Sequence, residues 1–239
     1  YYMGDTMKLR TKLVYKFNDY PKYIKKLNIL STLESIEYII QNKSSLARYG
    51  DGELSIIVGG SIHFQDYNKD LANRLKEILI EKQNHIMIGI PLAINTTDGL
   101  QDYAKKFWNM NMQTGGRMYW HKYCDYKKIY LNSSMTRCYI DYKDKSKSGL
   151  WFSSFFNLWK DLNILIIEGS DSKLGVNNNL FQEAKSINRL ICPSKNAFDK
   201  YIQIFNKSKE IANKYDLILV SLGPTATILS YDLSKEGIR

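Results

Sequence analysis

The chain has 239 residues, 44% of them hydrophobic and 24% charged, with a formal net charge of +10. That length and balance suit one α/β domain able to bury a sizeable core, and they exclude a mainly disordered chain. No apolar run reaches the ~18 residues of a membrane span, and Lys8, Arg10, Lys12 and Lys16 interrupt the N-terminus too often for a signal peptide.

A basic arm with interleaved aromatics, densest from Lys8 to Lys26, is expected over residues 1–30, with a single domain over 31–239. Ser31 and Glu34 form a capping-box pattern ahead of a helix carrying Leu33, Ile36 and Ile40 on one face. A short strand, Leu46 to Tyr49, runs into Gly50-Asp51-Gly52-Glu53. Asn68 caps a second helix with the stripe Leu71, Leu75, Ile78 and Leu79. A strand from His85 to Ile90 stops at Pro91, and Leu100, Tyr103, Ala104, Phe107 and Trp108 mark a third helix, ended by Gly115-Gly116. Residues 117–145, rich in Tyr, Lys and Asp, read as an irregular or inserted segment covering a site, with one strand at Ile129 to Asn132. Phe152, Phe155, Phe156 and Trp159 repeat at helical spacing and read as core.

The last third is the clearest. Asn163 to Ile167 is a continuous apolar strand of the kind buried on both faces. It ends at Glu168-Gly169, and a polar loop leads to a helix expected near Asn178 to Ile187. Leu190 to Cys192 is another strand, followed by a helix with Tyr201, Phe205, Ile211 and Tyr215 inward. Leu217 to Leu222 is a third buried strand, Gly223-Pro224 turns into a helix, and Gly237 can end it. Three strand–helix units in a row imply right-handed crossovers, so the expected fold is α/β, a Rossmann-like, mostly parallel sheet with helices on both faces. Ile238-Arg239 resembles the first step of a further strand, from which the chain is expected to be C-terminally truncated.

The composition also bounds the chemistry. Cys124, Cys138 and Cys192, like His63, His85 and His121, are scattered, giving neither a disulfide framework nor zinc-ligand spacing. The surplus charge suits nucleic acid, an anionic membrane or a phosphorylated substrate, or it reflects solvated lysine-rich faces. No nucleic-acid reading element is present, so no nucleic-acid partner is expected. There is no Gly-x-x-x-x-Gly-Lys-Ser/Thr loop, no Gly-x-Gly-x-x-Gly after the first strand and no Gly-x-Ser-x-Gly elbow. P-loop, dinucleotide and α/β-hydrolase chemistry are thereby disfavoured.

Ligands of open parallel sheets bind beyond the carboxyl ends of the strands, where three turns stand out. Asp51 and Glu53, flanked by Gly50 and Gly52, can converge on one hard divalent cation, magnesium or manganese, able to hold a departing diphosphate. An ordinary Asp-Gly turn with a nearby Glu would look the same. Gly223-Pro224-Thr225-Ala226-Thr227 offers a helix N-terminus to phosphate, unless it is only a tidy connection. The run Glu168-Gly169-Ser170-Asp171 to Lys173, Gly175 and Asn178 is longer than a connector needs and could hold a base or ribose. Arg48 and Arg137 can each pair with phosphate, or with surface carboxylates.

Together the segments Arg48 to Glu53, Ile167-Glu168-Gly169 with Leu174-Gly175-Val176, Ile191 to Ser194 with Asn196-Ala197-Phe198, and Leu222 to Thr227 with Tyr231-Asp232-Leu233 resemble the bacterial GT-D-fold glycosyltransferases, over roughly residues 30–239. The resemblance implies an Asp-x-Glu metal motif at Asp51 and Glu53, a UDP-sugar donor and a cell-surface glycan or glycoprotein acceptor, lipid-linked forms included. It implies donor contacts from Arg48, Gly50, Gly169, Ser170, Lys173, Gly175, Asn178, Gly223, Pro224, Thr225 and Ala226, with Arg137 toward the acceptor. The sequence departs from the family at Asn177, where Gly is frequent, at Asn179, where Asp is frequent, and at Cys138, where Pro is expected after Arg137. The family continues beyond residue 239 into a segment rich in Asp, His and Glu. The base is therefore left open, with Glu168 the local candidate for a catalytic carboxylate beside Asp51 and Glu53. A metal-dependent nucleotide hydrolase or phosphotransferase, and a glycan- or membrane-binding module, are the rival readings. The expected location is cytoplasmic, with peripheral contact at the inner membrane face.

Overall fold

The computed structural model describes residues 25–81 and 85–239, so most of the basic arm lies outside the described residues. The arm's end is not free of the domain, because Asn28–Ile29 forms strand β1. Helix α1 (Thr32–Asn42) opens with the expected capping box, Ser31 and Glu34 each satisfying the other's backbone N–H. Strand β2 (Ser45–Arg48) follows, then helix α2 (Asp51–Ile57), α3 (Lys69–Ile80) capped by Asn68, and β3 (Ile86–Ile90). Helix α4 (Asp102–Asn111) runs through a π-helical kink at Met112–Gly116 into α5 (Arg117–Tyr123). Next come β4 (Ile129–Asn132), a short α6 (Cys138–Asp141) and α7 (Ser148–Trp159). The last third holds β5 (Asn163–Gly169), β6 (Ser186–Cys192), α8 (Tyr201–Ala212), β7 (Leu217–Ser221) and α9 (Pro224–Lys235).

Among the described residues every pairing between these strands is parallel, as the succession of strand–helix units implies. The strands form two sheets rather than one, in the orders β1-β4-β3-β2 and β6-β5-β7. Alternation along β5 explains why helices cover both faces. Ile164 and Ile166 point into a core shared with Ile36 of α1 and with Phe155 and Trp159 of α7. Leu165 and Ile167 point the other way, against Ile204 of α8 and Leu229 of α9. The largest core lies under β2, β3 and β4, where Leu71, Leu75 and Ile78 of α3 meet Ile86, Ile88, Ile90 and Tyr130. Helix α9 contacts both β2 and β7 and so joins the two sheets. It ends at Gly237 (φ +74°), where the Ile238 N–H reaches Leu233 and the Gly237 N–H reaches Ser234. Arg239 C=O then accepts from Ile218 N–H of β7 at 2.9 Å.

Four expectations need correction. Helix α2 begins inside what reads as a turn. Gly115-Gly116 kinks a helical run rather than ending it, Gly115 taking φ +111°. The 117–145 segment is no insertion, since β4 lies inside the first sheet. No helix forms near Asn178 to Ile187, where turns lead straight into β6.

Candidate functional site

The first element of the site is the passage from β2 into α2. Tyr49 anchors it: its buried ring sends the hydroxyl to Leu75 C=O at 2.8 Å. Gly50 is the N-cap, and the Glu53 carboxylate reaches back to accept from the Gly50 N–H at 2.7 Å. Burial raises the Glu53 carboxyl above its ordinary pKa; the Gly50 and Glu53 backbone N–H groups and the Arg48 charge oppose the rise, and the Asp51 charge adds to it. Asp51 is exposed at the first helical position. Two carboxylates thus lie at one helix end, near enough for the Asp51 charge to act on Glu53. Arg48, at the end of β2, is exposed, with the Arg137 charge and the Glu53 and Asp51 carboxylates near it.

The second element is the start of α9. Gly223 adopts φ +53°, ψ −139°, the mirror image of extended backbone and open in practice only to glycine. Pro224 occupies the first helical turn, its missing N–H costing nothing there. Thr225 is fully buried and its hydroxyl has no partner among the described residues. Ala226 turns its N–H onto Gly223 C=O, so this donor is already used. Thr227 donates to Arg48 C=O at 2.7 Å across 179 residues of sequence. That bond fastens the α9 terminus beside the Asp51 and Glu53 turn. Sequence-distant turns that could each be ordinary connections are therefore adjacent in space.

The third element is the loop after β5. Glu168, 2% exposed, accepts from Leu174 N–H at 2.8 Å and from Arg189, which also donates to Leu174 C=O at 2.7 Å. Burial alone would raise the Glu168 carboxyl, but the Leu174 N–H, Arg189 and Ser172 together hold it below the ordinary glutamate range. So placed, Glu168 secures the loop through Leu174 and Arg189. Gly169 passes so close to the next loop that a Cβ would lie 3.0 Å from Ser194 Cα. Ser170 is exposed, its N–H bound to Cys192 C=O, and Lys173 is exposed with φ 49°. Gly175 (φ +69°) faces the Phe181 ring, and Asn178 accepts from Leu180 N–H within its own turn. Ser172 and Ser221 hydroxyls meet at 3.0 Å, tying the loop to the end of β7.

A cleft of about 710 Å³ is lined by Arg48 and Leu46 of β2, by β7, by Asn178 and Asn179, and by Trp159. Arg137 stands near Arg48 but is oriented by Asp141, which it grips through Nε at 2.8 Å and Nη2 at 3.0 Å. Tyr103 donates to the same carboxylate at 2.8 Å. The sequence reads Tyr103 as one of the residues that mark the third helix; in the structure it is half-exposed beside Arg137. Phe64, absent from the sequence reading, lies over Gly223. Its only sequence signal is an aromatic just after Gly59-Gly60, which periodicity does not pick out. Among the described residues no three His, Cys, Asp or Glu side chains gather into a metal-binding group. Asp51 and Glu53 would therefore share any cation with ligand oxygens and water, as magnesium and manganese accept.

Comparison with known proteins adds independent findings. A family model for the glycosyltransferase GT-D fold matches residues 46–239. A probable glycosyl transferase, Gly, of Streptococcus gordonii is 38% identical over 224 residues, 90% of this chain and 31% of that protein. Glycosyltransferase GlyD of Streptococcus pneumoniae is 36% identical over 205 residues, 85% of this chain and 25% of that protein. The chain thus spans a third or less of the length of these relatives. Among solved structures, a highly conserved domain of unknown function with a distinct glycosyltransferase fold superposes with a TM-score of 0.84 at 40% identity, covering 89% of this chain and 76% of that one. A new glycosyltransferase from Streptococcus sanguinis gives the same TM-score at 36% identity, covering 90% and 80%.

Proposed function

The chain belongs to the GT-D-fold glycosyltransferases, and from that premise we propose that it moves a sugar from a UDP-sugar donor to a cell-surface glycan or glycoprotein acceptor with the help of manganese or magnesium. The observation that carries the reading is the Thr227 to Arg48 hydrogen bond, which sets the α9 N-terminus beside Asp51 and Glu53. A diphosphate bridging the two would meet helix-end N–H groups on one side and carboxylate-held charge on the other.

The donor set suits the ion. Asp51 and Glu53 supply hard oxygens, and their mutual repulsion is relieved by a cation. Glu53 uses Oε2 to accept from Gly50 N–H. When bound, the ion supplies charge stabilisation to the leaving diphosphate. The chain's own groups orient and neutralise. Arg48 adds a positive charge at the strand end, and the Gly223 turn exposes the helix terminus. The Ser170 to Asn178 loop, fixed by Glu168 and Arg189, borders the donor side. Arg137, held by Asp141 and Tyr103, borders the acceptor side. No described carboxylate is assigned as the base that deprotonates the acceptor hydroxyl.

The net charge of +10 suits action against the inner face of an anionic membrane, where lipid-linked acceptors would be met; no described helix is long and apolar enough to cross one. The test is release of UDP from a panel of UDP-sugars with manganese, with and without glycan acceptors. Acceptor-dependent release abolished by chelator supports transfer. Equal release without acceptor would identify a nucleotide-sugar hydrolase instead.

A further inference from the structure

Phe64 is 43% exposed, yet the turn that carries it is firmly held. Ile62 and Gln65 close the turn with backbone bonds of 2.9 and 3.2 Å. Asn196, in the left-handed region after β6, donates its N–H to Phe64 C=O at 3.0 Å. The Asn196 side chain accepts from Asp66 N–H at 2.8 Å and donates to the Asp66 carboxylate at 2.8 Å. Gln65, the next residue, is buried. The phenyl ring is thus held outward on a fixed mount.

An isolated exposed phenylalanine is common on protein surfaces; this one stands where a ligand is expected. A Cβ on Gly223 would lie 2.3 Å from Phe64 Cε2, so one edge of the ring rests on the turn that starts α9. On the other side of the same turn, Ile62 Cδ1 would lie 3.5 Å from a Cβ on Gly52. The 62–65 turn therefore bridges the two segments proposed to receive the diphosphate. Only a ribose separates the phosphates of a nucleoside diphosphate from its base, so the base falls beside whatever flanks Gly223.

We propose that Phe64 is the platform on which the nucleobase of the donor stacks, its open face against the face of the base. This rests on the nucleotide-sugar reading. The ring supplies affinity for the nucleoside part without choosing among bases, since every base has a π-face. Selection of uracil then falls to hydrogen-bonding groups such as those of the Ser170 to Asn178 loop.

The test compares UDP with inorganic pyrophosphate, each with manganese, on the full chain, on Phe64→Ala and on Phe64→Tyr. Loss of a stacked base is expected to weaken UDP about tenfold in Phe64→Ala. Phe64→Tyr retains UDP affinity, and pyrophosphate binds all three proteins alike. With diamagnetic magnesium in place of manganese, the uracil H5 and H6 resonances of bound UDP move upfield with the wild-type chain and not with Phe64→Ala. Unchanged UDP affinity in Phe64→Ala, or equal weakening of UDP and pyrophosphate, would overturn the stacking role and leave the donor reading standing. Wild-type protein that binds pyrophosphate no less tightly than UDP would also overturn it. Failure of both ligands on folded wild-type protein would overturn the donor reading with it.

Discussion

Gly223→Ala is the substitution whose consequences the structure defines best. With φ +53° and ψ −139°, residue 223 lies where a Cβ costs about 1–3 kcal/mol in backbone strain. The new methyl would also fall 2.3 Å from Phe64 Cε2, so the ring must swing aside. An off-rotamer displacement of that kind costs about 0.5–1.5 kcal/mol. Gly223→Ala alone is therefore expected to lose about 1.5–4.5 kcal/mol of stability, the sum of the two. In a Phe64→Ala background the ring is gone and only the strain remains, so the penalty shrinks by about 0.5–1.5 kcal/mol. Urea unfolding of the four proteins of this cycle measures both quantities. A Gly223→Ala penalty below about 0.5 kcal/mol would refute the strain at this turn. An identical penalty in both backgrounds would refute the packing of Phe64 against it.

Arg189→Leu strips the partner from the buried Glu168 carboxylate and should cost about 3 kcal/mol, with residues 170–185 becoming the first site of limited proteolysis; a loss under about 1 kcal/mol would contradict that role. Burial, and then the Arg117 charge, pushes the His121 imidazole down to about 4. It stays neutral in the fold while the unfolded chain protonates below about pH 6.5. Stability should therefore fall as pH drops from about 6.5 toward 4, by up to about 3 kcal/mol, and His121→Gln should flatten that limb in denaturation series. The raised carboxyl of Glu53 predicts that manganese-dependent nucleotide binding weakens with falling pH before ordinary glutamates protonate; titrations across that range in which binding holds until the ordinary glutamate range would contradict it.

Much of the fold is legible because its signals are local. Ser31 with Glu34 and the Asn68 cap mark helix starts, and the apolar run of β5 marks a central strand. Where tertiary packing overrides local pattern, the sequence misleads. Leu180, Phe181, Ala184 and Ile187 have near-helical spacing, but they pack as turns and a strand start beneath α7, Phe181 against Trp159. Positive φ at Lys173, Gly175 and Asn177 keeps only the loop before that stretch out of helical conformation. Helix α2 is too short, at seven residues, to show a period, and its Asp-Gly start looks like a turn. The division into two sheets follows from which strand edges pair, a long-range matter on which strand patterns are silent. At the site, Asp51, Glu53 and the Gly223 turn were visible as residue types, and their proximity came only from α9 lying across β2. Phe64 and Tyr103 were not legible, since an aromatic left half-exposed looks in sequence like one that is buried.

The central claim is that Asp51 and Glu53 form, with the start of α9, a metal-assisted site for a nucleoside diphosphate. Calorimetric titration of UDP into this chain and into Asp51→Ala, with and without manganese and with GDP as control, tests it most directly. Preferential UDP binding that requires both manganese and Asp51 is the predicted result. Folded protein that binds no UDP in any condition, or an Asp51→Ala variant that keeps wild-type manganese-dependent affinity, would contradict it.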